Sequence, residues 1–350
     1  MNKGFTLIEL LAVIVILAVL ALIAAPVVLE IIDDSKKSAT LRSAENYIEG
    51  VEHALIRNIM YNQRVSNGTN SLMENGDVCL GEYSSKICTG TKLIVDVNGQ
   101  TPIDGSITFE DGKIKNYNLK YPSDISVVDG QISENICTLV SGGENEIGSK
   151  YECEVKKGKK FNFFVLSKND NGSTNLIMER NICENGKVAT TDNPCFVAWQ
   201  SSGNNVEGPV TAYNYLYKAT KDWNKVLNIN IDYIDEGTGS YGYGGIITTK
   251  KTTIITNNLD SALGSYENLK ARLPHKTEIS SITTSKGFLY DFLQGQTNPI
   301  SGVLGYWVNA SSSSNSGNAF TAVSSSKLSE NDVNNNTDYG IRPVITIYLQ

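Results

Sequence analysis

The sequence predicts an α+β chain: a long N-terminal helix packed on an antiparallel sheet, followed by a second α+β unit. Three observations predict it. An apolar run extends from Phe5 to Ala25 with a single charge, Glu9, inside it. Beyond it, Ala44, Ile48, Val51, Leu55 and Ile59 recur at steps of three and four, one face of an amphipathic helix. From residue 93 onward, short runs of strand-forming residues alternate with Gly- and Asn-rich turns.

The bulk numbers bound the possibilities. A length of 350 residues exceeds the common domain size, so a helical stem with two globular units is expected. A hydrophobic content of 40% and 17 tyrosines suffice for packed cores. Thirty Lys and Arg against 37 Asp and Glu give a net charge of −7, which opposes DNA or anionic lipid headgroups as the main ligand. The one basic block, Lys156-Lys157-Gly158-Lys159-Lys160, reads as a solvated linker and is taken as the domain boundary.

Taken in order, the first element is long enough to cross a bilayer. From Phe5 to Ala25 a helix measures roughly 30 Å, one hydrocarbon thickness. Glu9 costs about 2.5 kcal/mol or more there, and such residues usually mark function. The run offers no cation to pair with it, so its partner must come from outside. A secretory signal would have a shorter apolar core and a small-x-small cleavage site. An ordinary anchor leaves Glu9 unexplained.

The segment Gly4-Phe5-Thr6-Leu7-Ile8-Glu9-Leu10, with the apolar run behind it, resembles the leader and N-terminal helix of type IV prepilins and pseudopilins. The resemblance implies a leader of residues 1–4, containing Lys3, cut between Gly4 and Phe5 by a prepilin peptidase, with N-methylation of Phe5. It implies that Glu9 meets the N-terminal ammonium of a neighbouring subunit during assembly. Pro26 stands where many members carry a helix-bending proline.

The amphipathic pattern extends the helix over residues 5–60, with Glu45, Glu49, Glu52 and Arg57 elsewhere around it and His53 on its surface. Residues 62–90 are rich in Asn, Ser and Gly and read as a loop. Strands are expected at 93–97, 106–110, 113–119, 125–128, 136–140 and 151–155, with Asp111-Gly112 as a hairpin turn. Helix followed by meander is the pilin layout, placing a pilin domain over residues 30–157. In the distal unit, strands at 161–167 and 175–180 flank the turn Asn169-Asp170-Asn171-Gly172, which lacks the spacing of an EF-hand calcium loop. A helix is expected over 209–226, opened by Pro209, and a shorter one over 276–283. A Gly/Tyr-rich loop at 237–245 precedes a strand at 246–255, and further strands are expected at 305–310, 319–324 and 341–349. The Ser-rich stretch 311–316 reads as a solvated loop.

Six cysteines, Cys79, Cys88, Cys137, Cys153, Cys183 and Cys195, in a chain destined for the outside point to disulfides. Fifteen connectivities are possible in principle, and pairing of sequence neighbours is expected: Cys79–Cys88, Cys137–Cys153 and Cys183–Cys195. No C-x-x-C occurs and the two histidines, His53 and His275, stand apart from the cysteines. Neither a metal nor a cofactor is expected.

Residues 160–350 carry Leu176–Ile182, Arg272-Leu273-Pro274-His275, Gly305-Tyr306-Trp307-Val308-Asn309 and Tyr339-Gly340-Ile341-Arg342-Pro343-Val344-Ile345. Together these resemble a C-type-lectin-like domain of Gram-positive surface proteins, a fold likeness that transmits no function. Trp307 and Asn309 come near the sugar-binding pattern of that fold and are the candidate ligand contacts, although Trp307 and Arg342 read better as core. Its enzyme branch needs redox or copper-binding cysteines, whereas none follows Cys195. No G-x-S-x-G, P-loop or H-E-x-x-H is present, so no enzyme is expected.

The expectation is thus a minor subunit of a Gram-positive type IV pilus or pseudopilus, its distal domain presented for adhesion to a glycan or protein ligand. A pseudopilin of a DNA-uptake or type II secretion-like system, or a major structural pilin, are the alternatives. The implied partners are other pilin subunits, the prepilin peptidase and methyltransferase, and the inner assembly platform. The implied location is the cell membrane, single-pass with a cytoplasmic N-terminus, and then the extracellular pilus.

Overall fold

The computed structural model describes residues 7–61, 65–122, 125–169, 171–206, 208–231, 233–237, 250–253, 267–282, 287–290, 303–323 and 327–349. Two compact units divide after Ile132.

The first unit opens with helix α1 (Leu7–Met60), continuous through Pro26. Its second half follows the predicted stripe. Ala44, Tyr47, Val51, Ala54 and Leu55 are buried, Ile48 is half-buried, and Ile59 turns out to solvent. They pack on a sheet of β1 (Gly68–Leu72), β2 (Val78–Leu80), β5 (Thr91–Leu93), β6 (Asp104–Glu110), β7 (Lys113–Lys120), β8 (Ser126–Val128) and β9 (Gln131–Ser133). The strand order is β5-β2-β1-β6-β7-β8-β9, antiparallel from β5 through β8. A small hairpin of β3 (Tyr83–Ser84) and β4 (Ile87–Cys88) stands beside it. Tyr47 carries its hydroxyl into this core and donates to the Gly76 carbonyl at 2.6 Å.

The Asp111-Gly112 turn joins β6 to β7 with φ of 52° and 75°, the left-handed pair that a two-residue hairpin requires. Residues 62–90 are not a loop: β1 and β2 lie inside the sheet. Their side chains hid this, since β1 reads Gly-Thr-Asn-Ser-Leu and buries only Leu72 fully. Its place is fixed by register against β6, including a 2.8 Å contact between the Thr69 and Thr108 hydroxyls. The expected strand at 93–97 ends early, at Leu93. Gly105 in β6 needs its glycine: at φ 135° a Cβ would lie 2.0 Å from the Asn118 carbonyl oxygen.

The second unit contains β10 (Cys137–Ser141), β11 (Lys150–Lys156), β12 (Lys159–Lys168), β13 (Thr174–Met178) and, at the end of the chain, β20 (Val344–Ile347), in that order in one antiparallel sheet. The expected boundary at 157–160 is therefore corrected. Lys156–Lys160 is the turn between two paired strands, with Gly158 at φ 75° donating its N–H to the Glu154 carboxylate. Its lysines are not a free basic patch: Lys156 pairs with Asp222 at 2.8 Å and Lys160 with Glu152 at 2.8 Å.

Helix α2 (Val210–Thr220) buries Ala212, Tyr213, Leu216 and Ala219 and stops six residues before the expected end, although Trp223 beyond it is still buried. Strands β14 (Tyr233–Gly237), β15 (Lys250–Thr253), β16 (Gly305–Ser312), β17 (Asn318–Val323) and β18 (Lys327–Asp332) form a second sheet in the order β15-β14-β16-β17-β18, with β19 (Tyr339–Gly340) beside β16. Between β15 and β16 come two short helices, α3 (Lys276–Ser281) and α4 (Gly287–Tyr290). The expected Gly/Tyr-rich loop lies outside the described residues from 238 on, as does the strand at 246–255 except for β15. Ser311 and Ser312 belong to β16 and are buried, so the Ser-rich loop begins later than expected.

Tyr47→Phe should remove the buried donor to Gly76 without changing shape, costing about 1–3 kcal/mol in denaturant unfolding of the first unit.

Candidate functional site

The N-terminal helix comes first. Gly4 and Phe5 lie outside the described residues, and Glu9 and Pro26 are described only as backbone of α1. The neighbouring side chains are exposed: Leu7 at 84%, Leu11 at 57% and Leu17 at 59%, against 0% for Ala44 and Val51 on the same helix. Val28, Leu29, Ile31 and Ile32 are exposed as well. Among the described residues no helix is long and apolar enough to cross a membrane. What α1 presents instead is a row of large apolar side chains that no described residue covers.

The second group is the cysteines. Cys79 pairs with Cys88, Cys137 with Cys153 and Cys183 with Cys195, closing separations of 9, 16 and 12 residues. Each joins sequence neighbours. Cys137 and Cys153 sit opposite one another on β10 and β11, so this disulfide staples the distal sheet rather than the helix-bearing one.

The third group is Trp307 and Asn309, the candidate ligand contacts, both of which the structure places in the core. Both are 0% exposed. Trp307 donates from Nε1 to the Val197 carbonyl at 2.7 Å, and Trp199 answers with Nε1 to the Val308 carbonyl at 3.0 Å. Asn309 accepts from the Tyr213 hydroxyl at 3.3 Å and its amide nitrogen lies 3.4 Å from His275 Nδ1. Every residue of β16 is buried, so no side chain on this strand faces water.

The Arg-Leu-Pro-His and Gly-Ile-Arg-Pro segments do structural work. Arg272 and Glu278 form a two-pronged ion pair, 2.7 Å on each prong, with side chains only 9% and 10% exposed. Glu278 also accepts from the His275 backbone N–H at 2.8 Å, the Ser167 hydroxyl at 2.6 Å and the Asn175 amide at 3.1 Å. Burial works to raise its pKa, but the adjacent Arg272 guanidinium and these donors outweigh it and hold the carboxyl at about 2. The cluster walls a polar cleft of about 510 Å³ whose other side chains include Asn169, Thr277 and Thr346. Arg342, 2% exposed, donates to the carbonyls of Met178, Leu289 and Phe288 and lies over the Tyr306 ring at 5.0 Å. Burial pushes the Tyr306 hydroxyl up to about 12.

Sequence reasoning missed one further feature. The Cys183–Cys195 loop edges an open cleft of about 480 Å³ together with Phe196, Tyr215 and Asn336. An aromatic residue directly after a disulfide cysteine was the only signal. Among the described residues no group of His, Cys, Asp and Glu is arranged to hold a metal ion.

Residues 1–25 match the prokaryotic N-terminal methylation motif. No curated protein and no solved structure matches the chain. The motif supports a type IV pilin- or pseudopilin-like precursor, a structural subunit that assembles with others of its kind after prepilin peptidase processing.

Glu278→Gln should strand a buried guanidinium and destabilise the second unit by about 3–5 kcal/mol at neutral pH. Because the carboxyl is held below its ordinary value, its contribution is complete above about pH 4.5 and is lost as pH falls through about 2. The gap between wild type and variant in chemical unfolding should therefore narrow across that window.

Proposed function

We propose that the chain is a subunit, present in few copies, of a Gram-positive type IV pilus or pseudopilus. It is cut after Gly4, methylated at Phe5 and assembled through its N-terminal helix, with the distal unit presented for surface adhesion. The observation that carries this reading is the methylation motif over residues 1–25, enclosing Glu9 inside the apolar run. The exposed apolar row of α1 supports it, because that row needs lipid first and neighbouring helices afterwards. Before assembly the run from Phe5 to Ala25, roughly 30 Å as a helix, rests in the membrane.

In the proposed step the freed Phe5 ammonium of one copy pairs with the Glu9 carboxylate of the next. The pairing offsets the cost of a charge in an apolar surrounding and sets the axial register. Pro26 falls within the helical backbone of α1, where the resemblance to prepilins would place a bend. Low copy number follows from bulk, since residues 133–350 on every subunit would crowd a filament. The acidic balance of the chain opposes DNA as its ligand.

Glu9→Leu should leave membrane insertion intact and lower incorporation into sheared surface fibres about tenfold or more. Immunoblots of membrane and fibre fractions read both quantities, and unchanged incorporation would reject the pairing. Gly4→Leu should yield a protein whose N-terminal sequence begins at Met1 rather than Phe5.

A further inference from the structure

The cleft beside the Cys183–Cys195 disulfide has the composition of a ligand site that nothing in the N-terminal motif accounts for. Two half-buried aromatic side chains, Phe196 and Tyr215, line it together with the disulfide itself. Around them stand three exposed amides, Asn185, Asn193 and Asn336. Asn185 spends its oxygen on the Lys187 N–H at 3.0 Å, which leaves its two amide hydrogens for a ligand. The side chains of Asn193 and Asn336 make no hydrogen bond among the described residues. Each offers one acceptor and two donors.

Charge narrows the class of ligand. The one ionisable carboxylate on the rim, Glu184, is paired at 3.0 Å with Lys218, so the cleft presents no unopposed charge to an anion or a cation. Small-molecule sites combine an apolar floor with a few fixed polar groups. Here the floor is aromatic and the fixed groups both donate and accept, which is the complement of a ring bearing several hydroxyls.

The loop is also held in place before any ligand arrives. Glu184, Asn185, Asn193 and Pro194 lie inside or beside the loop closed by the disulfide. Within it the Cys183 and Lys187 backbones bond at 2.8 Å, and Thr190 and Asn193 bond each other in both directions. Cys195 sits at φ 59°, a left-handed conformation uncommon for a residue with a side chain. Such conformations persist where the surroundings over-determine them, and they concentrate at ligand sites. A rim fixed in this way spends little ordering entropy on binding.

We infer that this cleft binds a neutral saccharide, with Phe196 and Tyr215 under the sugar ring and the Asn185, Asn193 and Asn336 amides on its hydroxyls. The inference rests on the reading of the distal unit as adhesive and supplies its ligand class. It is independent of how the helix assembles.

The test uses the full chain in detergent micelles on an array of printed neutral, sialylated and sulfated glycans. Neutral glycans should be retained. The paired variant Asn193→Ala with Asn336→Ala alters only exposed side chains and should lower retention about tenfold with an unchanged circular dichroism spectrum. Phe196→Ala should do the same through the floor. Three results overturn the proposal: no glycan retained by the folded wild type, retention of the sulfated and sialylated glycans alone, or neutral retention that survives both variants. Fibre incorporation, scored separately on the same variants, should be unchanged. A binding failure with normal incorporation therefore removes the saccharide and leaves the assembly reading standing.

Discussion

Large apolar side chains left without cover are the constraint on which the rest of this molecule depends. Along α1 the same helix carries two kinds of surface. From Ala44 to Leu55 its apolar stripe is sealed by the sheet of the first unit, while Leu11 to Leu17 stand more than half exposed or close to it. At about 25 cal/mol per Å² of apolar surface, several leucines and isoleucines left in water are a standing cost that no contact among the described residues removes. In the proposed reading a lipid layer and then other copies of the helix supply that cover, and the counter-charge for Glu9 with it.

The distal unit solves the opposite problem. Its helices α3 and α4 span six and four residues, too short to hold themselves, since a helix this short gives up nearly all its ends to unsatisfied groups. Two buried arginines carry that burden. Arg272 is locked to Glu278 inside α3, and Glu278 in turn accepts from Ser167 on β12 and Asn175 on β13, so the ion pair bolts the helix to the sheet. Arg342 satisfies the carbonyls of Phe288 and Leu289 in α4 while holding the Met178 carbonyl at the end of β13. A buried pair of this kind is weak evidence for stability in itself. What it supplies here is position: each guanidinium ties one short helix to the same sheet.

Much of this was legible in the residues, and the rest was hidden for definite reasons. The α1 stripe, the Asp111-Gly112 turn and the strands around it follow from periodicity and turn chemistry, which act within a few residues. Strand β1 was not legible because Thr69, Asn70 and Ser71 owe their strand conformation to pairing with β6, some 35 residues away. The unit boundary was misread because Lys156-Lys157-Gly158-Lys159-Lys160 has the composition of a linker and the geometry of a hairpin; no local signal separates the two. Two of its four charges, Lys156 and Lys160, are met by Asp222 and Glu152, the first of them distant in sequence. The division after Ile132 lies just past the Asp129-Gly130 turn between β8 and β9, which looks like the turns inside either unit.

Trp307 reads better as core, yet a tryptophan and an asparagine two residues apart also suit a binding face. The decision lies with what covers β16. Trp199 and Trp307 donate across to each other's neighbouring carbonyls, which closes the strand against the segment 197–199 and leaves Asn309 to Tyr213 and His275. Once those polar atoms are satisfied inside, the strand has nothing left to offer a ligand. The saccharide proposed for this unit would therefore meet side chains that the core does not need, and the disulfide-closed loop combines rigid backbone with unused amides.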